Sequence, residues 1–324
     1  MLGLALLSAA HLHAAAYVGA LREHPRARIV GVWDDDPDWG RAFAGDYGLE
    51  FEPVRERLLA RADAAIICSE NRKHLENVRA ARTHDLPVLC EKPLVTNDAD
   101  AEEMRRVVGD GLFMTAFPCR FHPAWSRTKE RVAAIGPLKA IAATNRGQCP
   151  GGWFVDEDLS GGGAMIDHTV HVADLLRDLL GRDPTSVYAQ TNARMYGRAT
   201  DDCAMLALDY EGGPFVTHDS SWSRPAAFPT WGDVTMEIIG ESGLVELDMF
   251  GPSLVRTTVR VAQDGIGPDA DRLMIEAFLA SVLDGASVVT TLEDGLAASR
   301  IAIAAYRSAT SNRTEPIVTG VPVR

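Results

Sequence analysis

Along the first 120 or so residues, short apolar runs alternate with amphipathic stretches. This is the pattern of a parallel sheet covered by helices. Runs at 2–7, 27–33, 64–68, 88–90 and 112–116 predict strands. Between them Leu75, Val78 and Ala81 recur at helical spacing after Asn71, and Asp98 reads as an N-cap ahead of residues 101–108. The half is expected to be a doubly wound α/β unit that binds its ligand at the carboxyl ends of the strands.

Beyond residue 120 the pattern changes. A helix at 124–134 and a glycine-rich loop lead to a second helix at 164–180. Strand patterns follow at 186–193, 203–210, 215–222, 234–239, 244–248 and 254–261, separated by turns such as Glu211-Gly212-Gly213 and Glu241-Ser242-Gly243. Short links between consecutive strands predict an open, mainly antiparallel or mixed sheet, before the chain returns to helix at 271–283 and 292–308. The expected fold is therefore α/β plus α+β, with residues 1–120 as a Rossmann-like dinucleotide-binding domain and 121–324 as a domain for substrate binding and oligomerisation.

Length agrees with two domains, since 324 residues at about 150 per domain give two cores. The net charge of -13 argues against a nucleic-acid or anionic-membrane partner, either of which needs a basic footprint. Five cysteines, with no CxxC pair, predict neither a disulfide framework nor a zinc ribbon, which fits the cytoplasm. The apolar stretch 1–18 lacks a basic start, the first arginine being Arg22, and is too short and polar to span a bilayer. It is expected to be a buried first strand running into a helix, with no leader.

Two segments carry chemistry. At the end of a buried strand, Glu91-Lys92-Pro93 places a lysine in the ligand crevice, where desolvation lets an amine take part in proton transfer. The chain has only four lysines among 32 basic residues, so an amine at this position is a departure from its habit of using arginine. In Gly161-Gly162-Gly163-Ala164-Met165-Ile166-Asp167-His168-Thr169-Val170-His171, the glycines are expected to let backbone approach a ligand and to open a helix. On that helix Asp167, His171 and Asp174 share a face, so a carboxylate stands one turn from an imidazole it can orient.

On these segments the chain resembles the glucose-fructose oxidoreductase and inositol dehydrogenase (Gfo/Idh/MocA) family. Glu91-Lys92-Pro93 is similar to its E-K-P motif, and Gly161 to His171 to its GGG-x-x-x-D-x-x-x-H motif. Ser69-Glu70-Asn71-Arg72-Lys73-His74 resembles its [TS]-P-N-x-x-H loop, with Glu70 in place of proline, and Arg120-Phe121-His122-Pro123 resembles its R-F-x-P. Gly240-Glu241-Ser242-Gly243 and Thr291-Leu292-Glu293-Asp294-Gly295 match its C-terminal pattern. The resemblance implies an NAD(P)-dependent oxidoreductase that moves a hydride between nicotinamide and a sugar, cyclitol or related polyol or ketone. It implies Lys92, Asp167 and His171 as catalytic residues, and Arg120, Trp153 and His168 at the substrate. The dinucleotide is assigned to Ser8, Ala9, His11, Asp34, Ser69, Asn71, His74 and Glu91. A homo-oligomer, dimer or tetramer, is also implied.

One feature departs from the family. Its first strand normally ends in G-x-G-x-x-G, whereas this chain reads Gly3-Leu4-Ala5-Leu6-Leu7-Ser8-Ala9-Ala10-His11-Leu12-His13. Counting back from His13 puts Ala5, Leu7 and Ala10 at the glycines; counting from His11 puts Gly3, Ala5 and Ser8 there. A leucine at the middle position would obstruct a pyrophosphate. Asp34 still ends the second strand, where a carboxylate accepts from ribose hydroxyls, and with Asp35 and Asp36 it favours NAD over NADP. The same departure opens an alternative in which His11, His13, Asp167, His168 and His171 hold a divalent metal for hydrolase, lyase or isomerase chemistry. A non-catalytic member of the family is the third reading.

Overall fold

The computed structural model describes residues 1–22, 24–228, 230–251, 253–257, 261–265, 267 and 269–318. In chain order the first strands and helices are β1 (Leu2–Leu7), α1 (His13–Leu21), β2 (Ala27–Trp33), α2 (Pro37–Tyr47), α3 (Arg55–Leu59), β3 (Ala64–Ile67), α4 (His74–Thr83), β4 (Val88–Cys90), α5 (Asp98–Val108) and β5 (Phe113–Thr115). Next come α6 (Pro123–Val132), β6 (Leu138–Gly147), α7 (Glu157–Ser160), α8 (Ala164–Leu180), β7 (Ser186–Asn192), β8 (Cys203–Asp209), β9 (Phe215–Ser221), β10 (Gly232–Gly240) and β11 (Gly243–Asp248). The chain ends with β12 (Ser253–Thr257), β13 (Val261–Gly265), α9 (Ala270–Asp284), α10 (Leu292–Ser311) and β14 (Glu315–Pro316). The strand expected at 254–261 corresponds to the hairpin β12–β13, and its residues 258–260 lie outside the described residues.

These elements form two compact units, Met1–Pro118 with Ala270–Leu296, and Cys119–Asp269 with Ala297–Arg324. The first holds a five-stranded sheet, order β2-β1-β3-β4-β5, parallel throughout. Its strands are continuous apolar runs because both faces are covered, and Leu4 to Leu7, Ala64 to Ile67 and Val88 to Cys90 are each at most 1% exposed. The order reverses between β1 and β3, so the ligand crevice of such a sheet lies at the carboxyl ends of those two strands.

A single cut near residue 120 needs one correction, because residues 270–296 return to the first unit. Helix α9 packs on α1, Arg26 forks onto Asp284 at 2.6 and 3.0 Å, and Arg105 forks onto Glu293 at 2.7 and 2.8 Å. Thr115 and Thr290 also exchange hydrogen bonds, from Thr115 N to Thr290 O and from Thr290 Oγ1 to Thr115 O. These partners are distant in sequence, so periodicity carries no trace of them.

The second unit is built on a seven-stranded mixed sheet, order β11-β10-β6-β9-β8-β7-β14, in which only β6 and β9 run parallel. Its interior strand β6, third in that order, is not among the strands that the hydrophobic pattern predicts. Leu-Lys-Ala-Ile-Ala-Ala-Thr-Asn-Arg-Gly has few β-branched or aromatic side chains, and its place between two long partners decides its conformation. Helix α8 lies on β6, β8 and β9 and is buried at every position from Ala164 to Arg177. Among the residues facing inward on β9 is His218, 2% exposed.

Burial pushes the His218 proton affinity down to about 3. Between about pH 6.5 and 3 the unfolded chain therefore binds a proton that the folded chain refuses, and stability falls as pH drops, by up to about 1.4 kcal/mol per unit. Urea unfolding midpoints compared at neutral pH and at about pH 5 should fall less in His218→Leu than in the wild type. An equal fall in both would remove His218 as the source.

Candidate active site

In the first unit the crevice residues come from the turns that follow β1, β2, β3 and β4. Strand β1 ends at Leu7, which is fully buried, so the register that would place Leu7 in the cofactor loop does not apply. The turn begins at Ser8, which takes the left-handed backbone conformation, φ +65°, that glycine ordinarily supplies. Ser8 Oγ donates to Asp34 Oδ2 at 2.9 Å, Ala9 N donates to the same oxygen at 2.8 Å, and Asp36 N donates to Oδ1 at 2.9 Å. Burial pushes the Asp34 carboxyl up, against these three donors.

This turn fits a dinucleotide. Residues 9 and 10 are alanines, so the turn itself carries only methyl groups there, and the Trp39 indole donates to Ala9 O at 3.0 Å from its side. Helix α1 has no acid in its first turn, its first amide, His13 N, donates to His11 Nδ1 at 3.2 Å, and its positive end favours an anion. An adenosine ribose hydroxyl would donate to Asp34 Oδ1, since a carboxylate oxygen accepts two bonds. Beside it Lys73 Nζ is committed to Asp35 at 2.5 Å and Glu70 at 2.9 Å.

Behind the turn, Glu91 is fully buried at the end of β4. Its Oε1 accepts from His13 Nδ1 at 3.0 Å and from the Tyr17 hydroxyl, and its Oε2 accepts from Lys92 N at 3.1 Å. Burial alone would raise this carboxyl, but the charges of His11 and His13, the His13 bond and Lys92 hold it well below the usual carboxylate range. His11 Nδ1 accepts from His13 N at 3.2 Å. The metal alternative combined His11 and His13 with Asp167, His168 and His171. The structure gathers both imidazoles around Glu91 instead, with ligand atoms within 4.8 Å, and the carboxylate oxygen between them already takes two donors.

Four of the assigned residues have partners within the protein. His74 is fully buried, its Nδ1 donating to Pro93 O at 2.9 Å with Ser69 O at 3.2 Å from Nε2, so it staples two turns together. Glu91 likewise serves His13 and Tyr17. In the second unit Arg120, assigned to substrate, is bound by the buried carboxylate of Asp174, with Nε 2.8 Å from Oδ2, and by Asp178 at 3.1 Å. Trp153, partly buried, stacks on Phe154 at 3.9 Å against a cluster that includes Ala164 and Trp222. Ser69 and Asn71 are buried in the turn after β3, and Lys92, 4% exposed, follows β4.

Further candidate residues lie in the second unit. Two of the three glycines before α8 admit the protein's own groups: a Cβ on Gly163 would lie 1.9 Å from Asp201 O, and one on Gly162 would lie 2.3 Å from the Tyr306 hydroxyl. Asp201 caps the helix, accepting from Gly163 N at 3.0 Å and Met165 N at 2.8 Å, while Tyr306 donates to it at 2.6 Å. Gly162 and Gly163 therefore make room for groups of the protein itself. One turn in, Asp167 Oδ2 accepts from Trp222 Nε1 at 3.1 Å and lies 3.3 Å from His168 Nε2. Its neighbour at i+4, His171, is 9% exposed. Sequence reasoning missed Trp222, Asn145, Asp201 and Tyr306; a tryptophan ending an apolar strand, whose indole N–H needs a buried acceptor, was the one readable signal.

A model described as an oxidoreductase family with an NAD-binding Rossmann fold matches residues 9–110, and one for the GFO/IDH/MocA C-terminal domain matches residues 125–246. The chain is 30% identical over 313 residues to an inositol 2-dehydrogenase of Rhizobium meliloti (strain 1021), covering 89% of this chain and 91% of that one. It is 28% identical over 274 residues to a myo-inositol 2-dehydrogenase of Thermotoga maritima, covering 78% and 79%. The crystal structure of GenD2 from gentamicin A biosynthesis, in complex with NAD, shares the fold with a TM-score of 0.88 at 22% identity, covering 98% and 97%.

The cap on α8 sets a test of its own. Gly163→Ala must displace backbone at Asp201 and is expected to cost on the order of 2–4 kcal/mol in urea unfolding. Gly45→Ala, in α2 with nothing within 4 Å of the added Cβ, should leave stability equal or higher. A Gly163→Ala protein as stable as the wild type would show that the backbone contact yields freely.

Proposed function

The chain belongs to the Gfo/Idh/MocA family of NAD-binding oxidoreductases, and from that premise we propose that it transfers a hydride between NAD and a ring hydroxyl of a cyclitol or closely related sugar. The observation that carries the reading is Lys92, a buried amine at the carboxyl end of a central strand in a unit whose turn after β1 fits a dinucleotide. The relatives named as inositol dehydrogenases support a cyclitol as the substrate class.

Asp34 at the end of β2, with Asp35 and Asp36 beside it, disfavours a 2′-phosphate by like charge, so NAD is preferred to NADP. Bound NAD supplies the hydride acceptor. His171 takes the hydroxyl proton as the carbinol is oxidised and returns it in the reverse direction. Lys92 hydrogen-bonds the same oxygen and stabilises its developing charge, and Asp167 orients the donors. We place the protein in the cytoplasm, in keeping with its five unpaired cysteines. No helix of the described residues is long and apolar enough to cross a membrane. Self-association would use the outer face of the seven-stranded sheet, where Tyr188, Met205, Phe215, Ile239 and Leu244 are all exposed.

A titration with NADH, metal content being measured on the same sample, tests the cofactor. Saturable binding without stoichiometric metal is expected; no binding at millimolar NADH together with one divalent ion per chain would replace this reading by the metal enzyme. With NAD and a panel of cyclitols and aldoses, Lys92→Ala should lose at least about a hundredfold in turnover at similar NADH affinity. Undiminished turnover would remove Lys92 from the mechanism.

A further inference from the structure

His168 follows Asp167, and its ring is held at both ends. Nδ1 lies 2.9 Å from the carbonyl oxygen of Asn145 on β6. A carbonyl only accepts, so Nδ1 carries a proton. Nε2 lies 3.3 Å from Asp167 Oδ2. Were the ring neutral, with its proton on Nδ1, a nitrogen lone pair would face a carboxylate oxygen between groups only 5% and 6% exposed. That arrangement is repulsive, and little water is present to relieve it.

Gly147 closes one side of the ring, where a Cβ would lie 2.7 Å from Cε1 and 3.1 Å from Nε2. A second proton, placed between His168 and Asp167, removes the repulsion. Two features put it on the imidazole. The Trp222 indole already donates to Oδ2 at 3.1 Å, and Asp167 sits in the first turn of α8, where the helix end favours an anion. The other titratable groups at this end of the helix fit that charge state. His218 on β9 is kept neutral by burial, and Asp201 is bound to the first-turn amides and to Tyr306.

We infer that His168 is a positioning residue for the reaction, an imidazolium that, together with Trp222, pins Asp167 as a carboxylate one turn from His171. This rests on the reading that gives Asp167 a part in hydride transfer. A fixed anion at i-4 keeps the charge one turn from His171 constant across the working pH range, which a freely rotating aspartate would not do.

The test uses protein labelled with nitrogen-15 at histidine, the His168 signals being assigned by their loss in His168→Asn. Both ring nitrogens of His168 should carry protons at about pH 8, above the usual histidine range. An unprotonated Nε2 there overturns the inference. In kinetics, His168→Gln keeps an N–H at the Nε2 position, whereas His168→Asn keeps only the donor to Asn145. The Asn variant should lose about tenfold or more in turnover, with KM for NAD little changed and the pH profile displaced, and the Gln variant should recover most of it. Equal losses in both variants with an unmoved pH profile would reduce His168 to a packing role and overturn the proposal. If Asp167→Asn keeps full turnover while His168 is doubly protonated, the shared proton stands and the assignment of Asp167 to the reaction fails.

Discussion

The constraint on which the second unit depends is the burial of ionisable side chains along α8. The helix is covered at every position from Ala164 to Arg177, yet it carries Asp167, His168, His171, Asp174 and Arg177. A buried charge is tolerated only with a partner of good geometry, and removing one member of such a pair typically costs about 3–5 kcal/mol. Asp174 accordingly takes the Arg120 guanidinium, Arg177 takes Asp183, and Asp178 is bound by Lys129 at 2.8 Å and by the Trp125 indole at 2.7 Å. Each pair ties one turn of the helix to a different part of the unit. Together with the Asp201 cap they leave α8 one rotation about its axis, which is what a proton-transfer residue on that helix needs.

The first unit meets the same constraint differently. Asp34 and Glu91 are buried carboxylates at the carboxyl ends of β2 and β4, and their donors are drawn from the turn after β1 and the first helix. The turn is therefore organised by charge. Amides and hydroxyls that a glycine-rich loop would turn toward a ligand are partly spent on Asp34, while His13 and Tyr17 are spent on Glu91.

Much of this was legible in the sequence because it is local. Every strand of the parallel sheet announced itself as an apolar run, and α8 showed its start in the glycines and its shared face in the spacing of Asp167 and His171. What was not legible has one common cause, that it depends on partners far along the chain. Strand β6 has weak intrinsic preference and exists because β9 and β10 flank it. Arg120 reads as a free cation for a substrate until Asp174, which lies 54 residues away, is seen to hold it. The glycines were assigned to ligand approach for the right physical reason, close backbone contact, but the group that approaches Gly163 is Asp201.

The missing fingerprint shows how far a motif can change while its physical task is kept. The first glycine of such a loop is needed for a left-handed turn; Ser8 adopts that turn at a cost of roughly 1–2 kcal/mol and offsets part of it through the bond from its hydroxyl to Asp34. A glycine at this position would relax the backbone and lose the bond. The second glycine keeps a pyrophosphate clear of side chains, a task that alanine at residues 9 and 10 meets with one methyl each. Once the strand end is located at Leu7, the obstruction anticipated from a leucine disappears. The chain has replaced backbone freedom with a buried carboxylate as the element that shapes the turn, and Asp34 thereby acquires two tasks, holding the turn and facing the ribose, from a single side chain.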